Sequence, residues 1–221
     1  MDYWARQKLM FKPEEQEKIR EMVVMIVGVG GLGTHQAQEL QRIGVKKIYL
    51  VDFDLISPGN LNRQIFYGRK DLKGYKVDVA KKYLDQFELG TEIIAHNQQL
   101  NPQMEIPLDV NIIFDALDTF KARLILETLA EQYQLPLIHG GIYAWYGQIT
   151  TIIPGQTKKL STIFPATEEQ EQIPAFSPLV ALVASLQVIE GVKVYLHDEQ
   201  ILANRLLLID ASDYSFEIIN L

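Results

Sequence analysis

Residues 22–33, MVVMIVGVGGLG, form an apolar run that closes in Gly28, Gly30, Gly31 and Gly33, and a carboxylate, Asp52, follows about 20 residues later at the end of a second apolar run. The first run suits a buried parallel strand. The glycines suit a tight turn with close backbone approach, and Thr34 to Ile43 suits a helix whose N-terminus faces phosphate. Ala37, Leu40 and Ile43 recur at helical spacing, Gly44 stands where such a helix stops, and Ile48 to Val51 read as the next strand. A lone GxGxxG also occurs as a plain turn. The complete unit of strand, glycine loop, helix, strand and Asp points to a nucleotide site.

Around this unit the chain has 221 residues, 48% of them hydrophobic, enough for one sizeable core with a lobe or extended loop. A single α/β domain spanning residues 1–221 is expected. The formal net charge of -7 argues against general nucleic-acid affinity, which rests on Lys and Arg neutralising phosphates. An acidic protein can still hold ATP through a local basic cluster. No cysteine is present, which removes disulfides, thiolate zinc sites, thioester intermediates and persulfide chemistry on this chain together. The first 20 residues are polar and charged with no apolar signal core, so a cytoplasmic location is expected. Leu179 to Leu196 approaches the length of a membrane span, but Gln187, Glu190 and Lys193 interrupt it along one stripe. That pattern predicts a helix buried in the core or at a subunit interface, and no membrane association.

Residues 1–21 read as an amphipathic lead-in helix. Asp54 to Lys73 has the composition of a structured surface loop, Lys76 to Phe87 is helical by its apolar spacing, and Glu92 to Leu100 reads as a strand. Val110 to Leu117 reads as another buried strand whose polar end, with Asp118, reaches the carboxyl edge of the sheet where ligands of open α/β sheets bind. A helix from Thr119 to Gln134, a strand at Pro136 to His139, and an antiparallel run through Trp145, Ile149 and Ile153 follow. Residues 155–178, with Pro165, Pro174, Pro178 and the polar run Thr167 to Gln172, read as a crossover loop. Asn204 to Ile209 and Phe216 to Leu221 close the chain as a hairpin. The whole predicts a Rossmann-like mixed sheet: a parallel N-terminal nucleotide-binding half, antiparallel C-terminal strands, and helices on both faces.

Asp52, Asn60, Arg63, Gln64, Lys76 and Asp118 all fall at strand ends, loops or helix starts, and together they suit ATP. A carboxylate can hold ribose hydroxyls, Arg63 and Lys76 can neutralise a triphosphate, and a second carboxylate can hold Mg²⁺. Each has a bland rival: Arg63 or Lys76 as a solvated charge, Asp118 as a helix cap. The ordered set GVGGLG (28–33), VDFD (51–54), NLNRQIF (60–66), GYKVD (74–78) and DALDTFKAR (115–123) resembles the E1-like adenylyltransferases of the ThiF/MoeB/HesA family, which activate ubiquitin-like proteins. The resemblance continues through HGGIYAWYGQIT, PLVALVASLQVIEGVK and LLLIDASDYSFEIINL. It implies that the glycines and Asp54 help form the nucleotide pocket, Asp52 binds the ribose, Asn60 and Arg63 line the triphosphate, Lys76 contacts phosphate, and Asp118 binds Mg²⁺. It also implies that Arg6, in YWARQ, is a finger entering the neighbouring subunit's ATP site, hence a homodimer. The implied reaction is attack of a carrier's C-terminal carboxylate on the ATP α-phosphate, giving an acyl adenylate and pyrophosphate. The implied partner is a small β-grasp sulfur carrier ending in Gly-Gly.

The chain departs from many relatives in lacking both zinc-binding CxxC pairs, so no zinc is expected. It also lacks a crossover-loop cysteine: Ser161, Thr162, Thr167 and Ser177 stand there instead. Pro58-Gly59 and the short GYK segment are smaller departures. Other readings stay open. They are a nucleotide-binding but catalytically silent subunit of a heterodimer, an NAD-dependent oxidoreductase, and an enzyme adenylating a small molecule or tRNA. Among the histidines, His35, His96 and His197 show no metal spacing, and His139 has no acidic partner identifiable from spacing.

Overall fold

The structure, a computed structural model, describes residues 2–165 and 173–221; the polar run Thr167 to Gln172 lies outside them. Strand β1, Val23–Val27, is buried at every position because it serves two cores. Val24 and Ile26 join Leu40, Val77, Leu84 and Val188 on one side. Val23, Met25 and Val27 join Leu126, Leu129 and Leu160 on the other. An unbroken apolar run whose side chains alternate between two covered faces is what a central parallel strand requires.

Helix α2 (Gly31–Ile43) and strand β2 (Lys47–Asp52) complete the first unit, with Gly44 at φ +88° ending the helix. The helix begins three residues earlier than expected because Gly30 caps it and Gly31 to Gly33 enter its first turn. Next come α3 (Lys76–Asp85), β3 (Glu92–Asn97), β4 (Ile112–Asp115), α4 (Phe120–Gln132) and β5 (Leu137–Tyr143). All five of these strands run parallel. Strands β6 (Tyr146–Ile152), β7 (Arg205–Asp210) and β8 (Ser215–Asn220) then add on antiparallel. The sheet order is β3-β2-β1-β4-β5-β6-β7-β8. The order reverses between β1 and β4, and the crevice at such a switch point, beyond the carboxyl ends of the strands, is where open α/β sheets bind ligands.

Three differences from the sequence reading have local causes. The lead-in is a 3-10 turn at Gln7–Leu9 followed by α1 at Pro13–Glu21, because Pro13 fixes a helix start. Strand β5 does not stop at His139 but continues through Gly140 and Gly141, and the Gln187 side chain occupies the space a Cβ on Gly140 would need. A short helix, α5 (Leu160–Ile163), interrupts the expected crossover loop, and Glu127 Oε1 accepts the Leu160 N–H at its start.

Helices α2, α3 and α6 (Ser177–Tyr195) pack on one face of the sheet, while α4 and α5 pack on the other. Helix α6 is long and apolar enough to cross a membrane by composition, but it lies against α2, β4, β5 and β6. Gln187 and Glu190 of its polar stripe face inward, while Lys193 reaches the Gln200 carbonyl at the surface. Gln187 Nε2 donates to the Asp115 and Ile138 carbonyls while Gln187 Oε1 accepts from Gln36, and Glu190 Oε1 accepts from the Thr151 hydroxyl and Leu202 N–H.

Candidate active site

The site begins with the glycine turn. Gly28 follows β1 at φ +95°, a conformation that disfavours side chains, and a Cβ there would lie 2.5 Å from the Ala116 carbonyl oxygen. The Cβ of any residue at position 33 would strike the Gly28 carbonyl oxygen itself. These two glycines therefore let the end of β1, the start of α2 and the segment after β4 close on one another. Thr34 N–H is the first of the turn to find a helical partner, donating to the Gly30 carbonyl at 3.1 Å. The earlier N–H groups of a helix have no partner inside it, which makes this end an anion site.

Asp52 ends β2 and braces the turn. Its Oδ2 accepts the Val29 N–H at 2.7 Å and its Oδ1 accepts the Asp54 N–H at 2.8 Å. Burial pushes its carboxyl up, against the opposing pull of Lys76 and the two N–H donors. Each oxygen retains a further lone pair for a ligand hydroxyl. Lys76 opens α3 and is almost fully buried, yet its Nζ lies 2.6 Å from Asp54 Oδ2 and 4.0 Å from Asp52 Oδ2. Tyr67 seats this corner from below: its hydroxyl lies 2.7 Å from the Val29 carbonyl and 3.2 Å from that of Lys76, and donates to the nearer.

The NLNRQ loop covers the turn from one side. Asn60 shapes it, accepting the Ser57 N–H on its side chain and the Arg63 and Gln64 N–H groups on its carbonyl. Arg63 bonds the Gly59 carbonyl and Asn62, and its aliphatic stem passes 3.6 Å from where a Cβ on Gly31 would sit. Gln64 is buried beside Gly30, with an Oε1 that has no hydrogen-bond partner among the described residues.

Asp118 lies exposed beyond the end of β4. It does not cap α4, since Thr119 is the N-cap and its Oγ1 accepts the Ala122 N–H. Strands β1 and β4 pair Val27 with Asp115, so the chain leading to Asp118 leaves the sheet beside the glycine turn. The structure thus gathers Gly28, Gly30, Gly31, Gly33, Asp52, Asp54, Asn60, Arg63, Lys76 and the approach to Asp118 at one sheet edge. Arg6 is not among them. Trp4 Nε1 donates to the Arg42 carbonyl and Gln7 Nε2 to that of Ile43. These bonds pin the N-terminal segment, with Arg6 exposed, at the opposite end of the 13-residue α2, about 20 Å from the glycine turn.

One constellation escaped the sequence reading. His139 does have an acidic partner: its Nδ1 lies 2.7 Å from Asp115 Oδ2, both side chains being fully buried. The pairing of Ile113 with Leu137 and Phe114 with Ile138 carries on to bring these two residues side by side, a fact of register that spacing along the chain does not disclose. Burial alone would raise the Asp115 carboxyl, but Arg123 and His139 more than offset it and hold it below the usual range. Burial lowers the His139 imidazole, against the opposing pull of Asp115. Its Nδ1–H donates to Asp115, and its Nε2 accepts from Gln148 Nε2 at 3.2 Å.

A model of the ThiF family matches residues 4–221. The chain belongs to the ThiF family. Among curated relatives, the SAMP-activating enzyme E1 of Haloferax volcanii is 28% identical over 229 residues, covering 99% of this chain and 84% of that protein. The sulfur carrier protein adenylyltransferase of Thermus thermophilus is 31% identical over 231 residues, covering 98% and 85%. Among solved structures, that of E. coli MccB with ATP matches with a TM-score of 0.84 at 20% identity, covering 100% of this chain and 71% of that one, a likeness of fold alone. With its ThiF-family relatives named as adenylyltransferases, the chain is an E1-like adenylyltransferase that contains no cysteine.

Proposed function

We propose that this protein uses ATP to adenylylate the C-terminal glycine carboxylate of a small ubiquitin-like sulfur carrier, without forming a thioester on its own chain. The observation that carries this reading is the convergence of the glycine turn, Asp52, Arg63, Lys76 and the Asp118 segment on one crevice in a chain with no thiol. The names of the relatives, a SAMP-activating E1 and a sulfur carrier adenylyltransferase, indicate the kind of substrate.

A carboxylate is already a nucleophile at neutral pH, so no side-chain base is required. A carrier carboxylate oxygen bonds to the α-phosphorus, the bond from that phosphorus to the bridging oxygen breaks, and pyrophosphate leaves with the electron pair. Asp52 accepts the ribose hydroxyls. The turn's N–H groups, Arg63 and Lys76 hold the phosphates in line and offset charge on the departing pyrophosphate. Lys76 does so from a preset position, with Asp54 holding its Nζ in place. Asp118, a hard oxygen donor exposed beside the turn, fits Mg²⁺, which is commonly held by one or two carboxylates together with substrate phosphates. When bound, Mg²⁺ would neutralise phosphate charge. Arg6 is displaced along α2 from its own turn, which favours a homodimer in which each Arg6 completes the partner's site. A cytoplasmic setting with the carrier and ATP accompanies this reading.

The test is ATP–pyrophosphate exchange with Mg²⁺ and a panel of Gly-Gly-ended β-grasp carriers. Exchange should require a carrier and should fall on the order of 10²–10³-fold in Asp118→Ala, the usual scale for losing one transition-state charge contact. Nucleotide binding without exchange for any carrier would assign the chain instead to a silent partner subunit.

A further inference from the structure

Leu117, the residue before Asp118, has both halves of its backbone fixed by side chains. Its N–H donates to Asp115 Oδ1 at 3.0 Å, and its carbonyl accepts from Arg123 Nη2 at 2.7 Å. Asp115 is fully buried and engages His139 through its other oxygen at 2.7 Å, with Arg123 Nε 3.6 Å from that same oxygen. His139 in turn meets Gln148. Four elements thus contribute: Asp115 from β4, Arg123 from α4, His139 from β5 and Gln148 from β6. The charges of Asp115 and Arg123 cancel within the group. A buried ion pair of this kind is weak evidence of stabilisation, since apolar side chains of similar volume often serve as well. Here it holds the two consecutive peptide groups that flank Leu117, one through the N–H and one through the carbonyl, next to a residue that must point outward.

We propose that Arg123, Asp115 and His139 are positioning residues that fix the two peptide groups flanking Leu117 and through them the direction of the Asp118 carboxylate. This rests on the reading of Asp118 as the metal-bearing residue of the adenylation site. Arg123 holds the carbonyl side, Asp115 the N–H side, and His139, 2.7 Å from Asp115 Oδ2, locks the Asp115 carboxylate in the rotamer that reaches Leu117. Outer partners of metal-binding carboxylates act in this way, and their loss commonly weakens metal affinity about 10–100-fold.

The experiment titrates the 221-residue protein by calorimetry with a non-hydrolysable ATP analogue, with and without Mg²⁺, beside thermal melts. Arg123→Met should weaken the Mg²⁺-dependent part of nucleotide affinity about tenfold or more, while metal-free affinity stays within about twofold. Arg123→Lys, which can still donate to the Leu117 carbonyl, should recover part of that loss. If Arg123→Met fails to fold, the double variant Asp115→Asn/Arg123→Met removes both buried charges and should show the same selective loss. Equal losses with and without Mg²⁺, or a lowered melting temperature with the Mg²⁺ response intact, would overturn the proposal and leave the network a purely structural one. Asp118→Ala separates the two levels of the argument. If it leaves the wild-type Mg²⁺ response unchanged, the assignment of Asp118 fails and takes the positioning role with it; if it abolishes the response while Arg123→Met does not change it, only the positioning role fails.

Discussion

At the scale of single residues, the site depends on where a side chain cannot be. Gly33 and Gly28 touch backbone to backbone, so Gly33→Ala must separate β1 from α2 at the phosphate end. A cost of about 1–3 kcal/mol is expected, the range for forcing extra atoms into a packed contact. It should be accompanied by loss of nucleotide binding, read by thermal melting and a fluorescent-nucleotide titration. Gly59, immediately before the NLNRQ loop, has nothing among the described residues within 4 Å of a hypothetical Cβ. Gly59→Ala should therefore change stability by less than about 0.5 kcal/mol, and a large effect there would undercut the packing argument. Asp52, Arg63 and Lys76 could be singled out from their positions after strands and at a helix start. What their side chains bond to could not.

At the scale of elements, α6 reverses the usual amphipathic rule. Its polar side chains, Gln187 and Glu190, point into the sheet, while Ile189 is 54% exposed. Glu190 is buried with two donors on one oxygen, and burial raises its carboxyl above the ordinary value of 4.5 despite them. The folded chain thus holds this proton more tightly than the unfolded chain does. The associated stabilisation is complete below about pH 4.5 and is lost as pH rises through the raised value. Glu190→Gln keeps an oxygen for Thr151 and Leu202 but cannot ionise. Its melting temperature should gain on wild type as pH rises from 4 to 8, where each ~1 kcal/mol moves a domain of this size by about 2–4 °C. Parallel pH profiles for the two proteins would show that Glu190 is not the group responsible.

At the scale of the whole molecule, the N-terminal segment and the glycine turn sit at opposite ends of α2, so a role for Arg6 in catalysis demands a second copy. Arg6→Ala and Asp118→Ala should each be inactive alone. In an equal mixture of a two-fold symmetric dimer, half the dimers are mixed and each carries one intact site, so exchange should return to about a quarter of wild type. Mixtures no more active than their components would exclude a shared site.

Local pattern along the chain suffices for the architecture and for most of the positions that meet at the crevice. The all-apolar β1, the glycine turn, Asp52 at the end of β2, and the alternation of strands and helices are local patterns, set by backbone sterics and by which faces must leave water. They give a parallel nucleotide-binding half without reference to any distant contact. Tertiary structure decided what depends on register and on which neighbours surround a side chain. The pairing of Ile113 with Leu137 brings His139 to Asp115; the docking of α6 on β4 and β5 turns Gln187 and Glu190 inward; the anchoring of Trp4 and Gln7 on α2 removes Arg6 from its own turn. Each joins residues far apart in the chain. The free energy of such a contact is set by geometry and desolvation in the assembled core, and neither is encoded in the order of residues along any one element.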